Sequence, residues 1–434
     1  MLTWRHATTA CLAALFAALV GLMLAYPNEA WKAALQGLSI WWDILFPALL
    51  PFFVISELML GFGLVHFLGT LLDPLMRPLF RVPGIGGFVM AMGLASGYPV
   101  GARLTAQLWE QRLVTREEGE RLVAFTTSSD PIFLIGAVSV GFFHDVSLAV
   151  VLAAAHYGSC FLIGLLMRFH GRKSVPTPMH ITEGRQGIGL MKRALIAMHH
   201  ARIQDGRPLG EMLQEAIQAS LRLVMVVGGL VVFFCVFLEM LNVTHLLRGL
   251  AQTTGSALRL VGIPLELSQA IVNGLFEVTL GARSAADAGD HLALVHKVAV
   301  GAFILSWAGI SVHSQIVSLL NRTNLRYWPF IAARLAHAVL ATAGVYLLWT
   351  PLASVRSAVS AAFPQLGPSL ETGAGVGGGA AEAAQYGTGL LPWLYTASIG
   401  LLLMVTSLLL LMGALYALGR PLLRLLFQHR PLSR

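Results

Sequence analysis

A chain of 434 residues that is 56% hydrophobic and only 12% charged, with mean hydropathy +0.73, is not built like a soluble enzyme, since soluble domains carry roughly 25% charged residues. Its formal charge of +8 and pI near 9.7 fit lysine and arginine gathered in cytoplasmic loops, so the expected partner is the bilayer and not nucleic acid. Cys11, Cys160 and Cys235 lie in apolar runs without pairing or metal spacing, which predicts packing roles and neither a disulfide frame nor a metal site.

Taken in order, residues 8–26 form an apolar run ended by Tyr26-Pro27. No small-residue cleavage site precedes Pro27, so the run is expected to stay as a first span. Residues 27–43, with Trp31, Trp41 and Trp42, have interfacial composition. A second span is expected over 44–66, with Pro47, Pro51 and Glu57, and Asp73 to Pro78 should leave the membrane. Residues 84–101 read as a broken segment, because Ser96-Gly97-Tyr98-Pro99-Val100-Gly101 cannot continue an undistorted helix. The charge-dense stretch 103–121 belongs at the water surface. Residues 122–143 return to the membrane, and Thr126 to Pro131 predicts a second break. A span over 146–169 closes this half.

The stretch 170–208 is a basic loop with an amphipathic patch. Its histidines at 170, 180, 199 and 200 lack metal-ligand spacing. A span at 221–243 opens the second half, where Phe233-Phe234 and Glu239 echo Phe52-Phe53 and Glu57. The broken segment 266–282 then repeats the first one. Met92-Gly93-Leu94 aligns with Asn273-Gly274-Leu275, and Gly101-Ala102-Arg103 with Gly281-Ala282-Arg283. Spans follow at 297–319 and 329–350, the former carrying Ser306 to Gln315 as the counterpart of the Thr126–Pro131 knot. Residues 352–390 read as a Gly/Ala-rich tether without a phosphate-loop context. A last span over 391–417 precedes an Arg-rich tail.

With both termini cytoplasmic, all of the 29 Lys and Arg fall inside except Lys32, Arg248, Arg259, Arg283, Lys297 and Arg356, as the positive-inside bias requires. The two halves then run in opposite senses. The fold expected is therefore all-α and polytopic, with about eight spans plus two re-entrant or broken helical segments arranged as inverted repeats. The units are 1–43 (first span and interfacial segment), 44–169 and 221–350 (the repeats), 170–220 (basic loop and helix), 351–390 (linker) and 391–434 (last span and tail).

Ionisable groups at membrane depth cost a few kcal/mol on insertion scales and so need a reason. Four polar clusters are expected to converge near the midplane as a substrate site. They are Ser96, Gly97 and Tyr98; Thr127, Ser129 and Asp130; Glu277 and Thr279; and Ser311, His313 and Gln315. Arg103 and Arg283, ending the two broken segments, are added as carboxylate-binding forks. Plain helix-packing hydrogen bonds suffice for Thr126, Ser128 and Ser314, and His156 and His337 read as satisfied bundle histidines. Glu57 and Glu239 admit equally a functional role or a snorkelling or structural one. No nucleophile–base pair or metal-ligand set stands out, so neither catalysis nor a bound metal is expected. No cofactor is expected either, beyond a coupling H+ or Na+.

Ser-Gly-Tyr-Pro-x-Gly-Ala at 96–102, Glu-x-Thr-x-Gly at 277–281 and Ser-Val-x-x-Gln at 311–315 resemble the sporulation integral membrane protein family. That family has two nucleoside-recognition Gate domains, distantly similar to concentrative nucleoside transporters. The resemblance spans about residues 44–350. It implies a multipass permease of the cell membrane and, for sporulation members, dipicolinate movement into the developing spore across the mother-cell-side membrane. Two departures occur: Asn-Asn-Ser-Gly-Pro is Thr127-Ser128-Ser129-Asp130-Pro131 here, and Gly-Gly is Ala308-Gly309. Three readings follow: a transporter of a small polar or anionic metabolite, a nucleoside transporter, and a non-conducting receptor or assembly factor.

Overall fold

The computed structural model describes residues 4–178, 189–260 and 262–362, and among these all regular structure is helical. The end of the tether, the 391–417 span, the basic tail and His180 lie outside the described residues. Helix α1 (Trp4–Ala25) meets α2 (Pro27–Ser39) at a bend of 105°. Tyr26 sits before a proline and adopts φ −125°, ψ 61°, because the ring of Pro27 disfavours the helical region for it. A wide turn at Ile40–Leu45 leads into α3 (Phe46–Gly61). Gly63, at φ 74°, turns the chain into α4 (Leu64–Phe80), bent by 81° from α3. Asp73 to Pro78 form the helical C-terminal part of α4. The Asp73 carboxylate holds Gly84 N–H at 2.7 Å and Arg77 Nε at 2.6 Å, so the following turn is tied back onto α4.

Next come α5 (Ile85–Ser96), α6 (Tyr98–Glu110), α7 (Arg116–Thr126) and a π-helical segment, Ile132–Phe142, before α8 (Leu148–Met167). The basic stretch holds α9 (Leu190–Asp205). In the second half α10 (Leu209–Val243) runs for 35 residues and α11 (Leu246–Leu260) fills the expected connector. They are followed by α12 (Ser268–Phe276), α13 (Val278–Ala286), α14 (Leu294–Trp307), α15 (Gly309–Leu320) and α16 (Trp328–Trp349). The tether opens with a short helix, α17 (Ala353–Ala362).

Among the described residues, four helical stretches are long and apolar enough to cross a bilayer, or six if each bent pair counts as one. Their outer faces expose large apolar side chains such as Phe16, Leu24, Met225, Val339 and Leu347. Such faces suit lipid and not water.

The element order of one half recurs in the other. Two helices (α3 and α4; α10 and α11) precede a helix interrupted once (α5/α6; α12/α13). A second interrupted helix follows (α7 and Ile132–Phe142; α14/α15), then an unbroken span (α8; α16). Contacts between the halves are reciprocal. α6 packs on α15 while α13 packs on Ile132–Phe142; α7 packs on α16 while α14 packs on α8; and α8 packs on α16. Such reciprocity is what a pseudo-two-fold relation between repeats produces.

Candidate functional site

Each half makes its first break by crossing two glycine-bearing half-helices. A methyl group on Gly93 would meet Gly101 Cα at 3.3 Å, and one on Gly281 would run into the backbone of Gly274. The glycines that anchor the sequence repeat are therefore the close-approach points of the two hairpins. Gly97 adopts φ 89°, ψ 179°, a region that side-chain-bearing residues avoid. At the equivalent place Glu277 stays extended at φ −141° and uses its side chain as a cap, accepting Leu280 N–H at 2.7 Å.

The second breaks are Thr127–Asp130 and Ala308-Gly309. Asp130 accepts Phe133 N–H at 2.9 Å and caps the segment that follows. It also faces the first break, since a methyl on Gly97 would lie 2.9 Å from Asp130 Oδ2. Ala308 and Gly309 both have positive φ, at 75° and 74°. A methyl on Gly309 would meet Phe276 O at 2.9 Å and Glu277 N at 3.1 Å, so the two breaks of the second half touch.

Three side chains outside the expected site join the halves. Tyr98, within it, donates its hydroxyl to Leu305 O at 2.8 Å, from the first break of one half to the helix before the last break of the other. His156 is fully buried, and its Nε2 accepts Ser129 N–H at 3.2 Å. Its Nδ1 must then carry the proton and donates to Ser306 Oγ at 2.8 Å. Ser128 Oγ lies 2.9 Å from the same Nε2. His337 donates Nε2–H to His156 O at 2.9 Å.

Arg334 is the third and the least expected. The charge distribution places it among the cytoplasmic cations, yet it is completely buried on α16. Its guanidinium donates to Thr127 O at 2.5 Å, Ala124 O at 2.6 Å and Ser306 O at 3.4 Å, and no carboxylate pairs with it among the described residues. Those carbonyls belong to the C-terminal ends of α7 and α14 or to the residue just beyond. A helix C-terminus carries roughly −0.5 elementary charge, so two of them amount to about one negative charge against one guanidinium. Sequence offered one signal for Arg334: an arginine inside an expected span is rare enough to demand a role.

The residues expected to bind substrate divide clearly. Ser96, Tyr98, Thr127, Ser129, Asp130, Glu277, Thr279, Ser311, His313 and Gln315 are all buried at or beside the breaks. His313 donates Nε2–H to Trp307 O at 3.0 Å and accepts the Tyr327 hydroxyl at 2.5 Å, so its role is to close the end of α14. The two arginines are not brought to the breaks. Arg103 pairs with Glu57, which also holds Gln107 at 3.1 Å, and donates to Ala219 O at 3.3 Å. Arg283 is 62% exposed, 3.6 Å from Asp287. Glu239 makes no matching ion pair; it accepts from Asn242 at 3.4 Å. The Glu57–Arg103 contact thus has no partner in the repeat.

Several buried polar atoms at the breaks have no protein partner: Ser96 Oγ, Thr127 Oγ1, Ser311 Oγ and Arg334 Nε. Among the four half-helices that begin at a break, Asp130 and Glu277 cap two with side chains. The other two, α6 and α15, have no side-chain cap, and these two pack on each other. Ser96 precedes α6 and Ser311 lies in the first turn of α15. Where the halves cross, two helices without side-chain caps therefore pack on each other, and each has an unpartnered hydroxyl at its start.

Interrupted apolar helices crossing at their breaks, with buried polar groups left open, define a polytopic membrane protein. Residues 43–173 match the family model Gate, described as nucleoside recognition. The chain is 43% identical over 345 residues to the sporulation integral membrane protein YlbJ of Bacillus subtilis, covering 79% of this chain and 83% of that protein. It belongs to the family of that protein and is an integral membrane protein linked to sporulation. An uncharacterized protein of Alkalihalophilus pseudofirmus is 36% identical over 110 residues, 24% of this chain and 23% of that one. No solved structure matches the chain.

Proposed function

We propose that the chain is a permease for a small polar or anionic metabolite, bound where the four helix breaks cross. The observation that carries this reading is the pairing of two uncapped helix N-termini, α6 and α15, with the unpartnered hydroxyls of Ser96 and Ser311. Free N–H groups and a positive dipole end favour an anionic oxygen. Dipicolinate is the first candidate, on the family resemblance. Charge adds a condition. Asp130, Glu277 and Arg334 are the buried charges at the crossing, and they leave one negative charge in excess if all are ionised. An anion must then enter with at least one proton or cation, which makes H+ or Na+ coupling part of the proposal. The termini are placed on the cytoplasmic side by the distribution of Lys and Arg.

A nucleoside is the second reading, favoured by the match of residues 43–173 to a nucleoside-recognition model. Reconstituted vesicles separate the readings. Uptake of dipicolinate exceeding that of its mono-acid analogue and of uridine supports the anion. Uptake of uridine alone transfers the site to nucleosides. Binding of either without flux makes the protein a receptor.

A further inference from the structure

The crossing accounts for the interior polar groups but not for a groove on the outer surface between α8 and α16. This groove encloses about 430 Å³ and is walled by Ile163, Leu166, Met167, Ala333 and Ala336. The small alanines on the α16 side leave room for it, and its walls offer no hydrogen-bonding side chain. Its mouth is different. His170, Arg326 and Trp328 line it, and Trp328 is 74% exposed. Phe169 stands exposed on the α8 side with Arg172 stacked over it at 4.8 Å. Exposed Trp and Phe beside Arg mark the level of lipid headgroups.

The charges at the mouth are uneven. Arg168, Arg172 and Lys173 lie in six consecutive residues after α8, and Arg322 and Arg326 in the turn before α16. The facing acids are Glu117 and Glu120. Glu120 is buried, and it holds Arg326 at 2.8 Å and His170 at 2.6 Å. Glu117 accepts Arg116 at 3.2 Å. Exposed Arg168, Arg172 and Lys173 remain without an acidic partner among the described residues, next in the chain to His170 at the mouth. The positive end of α16, whose N-cap Tyr327 provides no side-chain bond, opens at the same place.

We infer that this groove binds one anionic phospholipid, with an acyl chain between α8 and α16 and its phosphate among Arg168, Arg172, Lys173 and Arg326. An apolar slot continuous with a basic pocket between membrane helices has the chemistry that selects such headgroups. A zwitterionic lipid would fill the slot equally well but gain nothing from the charge surplus. The site is separate from the crossing, and its occupancy does not depend on what the crossing carries.

The test is native mass spectrometry of the full-length protein titrated with phosphatidylglycerol and with phosphatidylcholine of the same chains. Ala336→Phe fills the slot, and the triple change Arg168→Gln, Arg172→Gln, Lys173→Gln removes charge without touching the Arg326–Glu120 pair. Phosphatidylglycerol should bind at least fivefold tighter than phosphatidylcholine to the wild type. Ala336→Phe should weaken phosphatidylglycerol binding at least fivefold, while the triple variant should bring the two lipids level. Thermal unfolding without added lipid identifies a variant that is merely misfolded, and Ala332→Phe serves as the second filling variant. Equal affinity of the wild type for both lipids overturns the proposal, as does phosphatidylglycerol binding indifferent to both filling changes. A filling change that instead dissociates an oligomer assigns the groove to a second copy of the chain.

Discussion

Arg334 illustrates how a single residue can fix the geometry of two breaks at once. Replacing it with glutamine leaves up to three buried carbonyls, on Ala124, Thr127 and Ser306, short of a donor. Each orphan costs about 1–3 kcal/mol, so Arg334→Gln should lower the unfolding temperature and yield in detergent far more than Glu277→Gln does. Comparable yields of the two variants would show that the guanidinium is dispensable for the fold. Glu277→Gln and Gln315→Ala are expected to abolish transport at near-normal yield. Glu277 keeps a cap through its remaining carbonyl oxygen, and Gln315 has no side-chain hydrogen bond to lose among the described residues. Parallel loss of yield and flux would return both to structural roles. At the water surface, burial pushes Glu120 up, but hydrogen bonds from Arg326 and His170 outweigh it and hold the carboxyl below the usual range. A carboxylate depressed on folding stabilises the protein above its unfolded pKa, about 4.3. That contribution is lost as pH falls through the folded value. Melting temperature should therefore drop on acidification below about pH 5, and Glu120→Gln should flatten that part of the curve.

At the level of elements, the glycine crossings are the parts most exposed to substitution. Gly101→Ala would drive a methyl into Thr126, and Gly281→Ala one into Gly274. Backbone and a β-branched neighbour cannot swing aside, so each should cost about 1–3 kcal/mol of overpacking. Size-exclusion profiles of the two variants should show the same defect, whereas Gly158→Ala, with open space around it, should leave the profile unchanged. The breaks at Gly97, Thr127–Asp130 and Glu277 were legible because proline, glycine and polar clusters interrupt apolar runs. The break at Ala308-Gly309 was marked only as a counterpart of the earlier knot, since alanine at φ 75° announces nothing locally. The carriers of contact between halves were less legible. His156, Ser306 and Arg334 act through partners more than a hundred residues away, such as His156 with Ser306 and Arg334 with Thr127. A single sequence without structure gives no distance between them. For the same reason Arg103 and Arg283 looked alike as ends of a repeated Gly-Ala-Arg, although Arg103 meets a part-buried carboxylate and Arg283 an exposed one.

At the scale of the whole molecule, the reciprocal contacts relate the halves to one another but do not by themselves orient them in the bilayer. Orientation follows from charge. The α6–α7 connector carries Arg112, with Arg116 opening α7, whereas residues 287–293 between α13 and α14 carry no Lys or Arg. Under the positive-inside bias the first belongs in the cytoplasm and the second outside. Equivalent connectors on opposite faces are the signature of an inverted repeat, and such a repeat lets one site open alternately to either side. Gln111 and Asp290 are exposed in these two connectors. With Cys11, Cys160 and Cys235 replaced by serine or alanine, Gln111→Cys and Asp290→Cys should therefore react with a membrane-impermeant maleimide from opposite faces of the membrane. Gln111→Cys should label only in inside-out vesicles, and Asp290→Cys in intact cells. If both label from the same face, the repeats are parallel, and a site opening alternately by exchange of the two halves loses its basis.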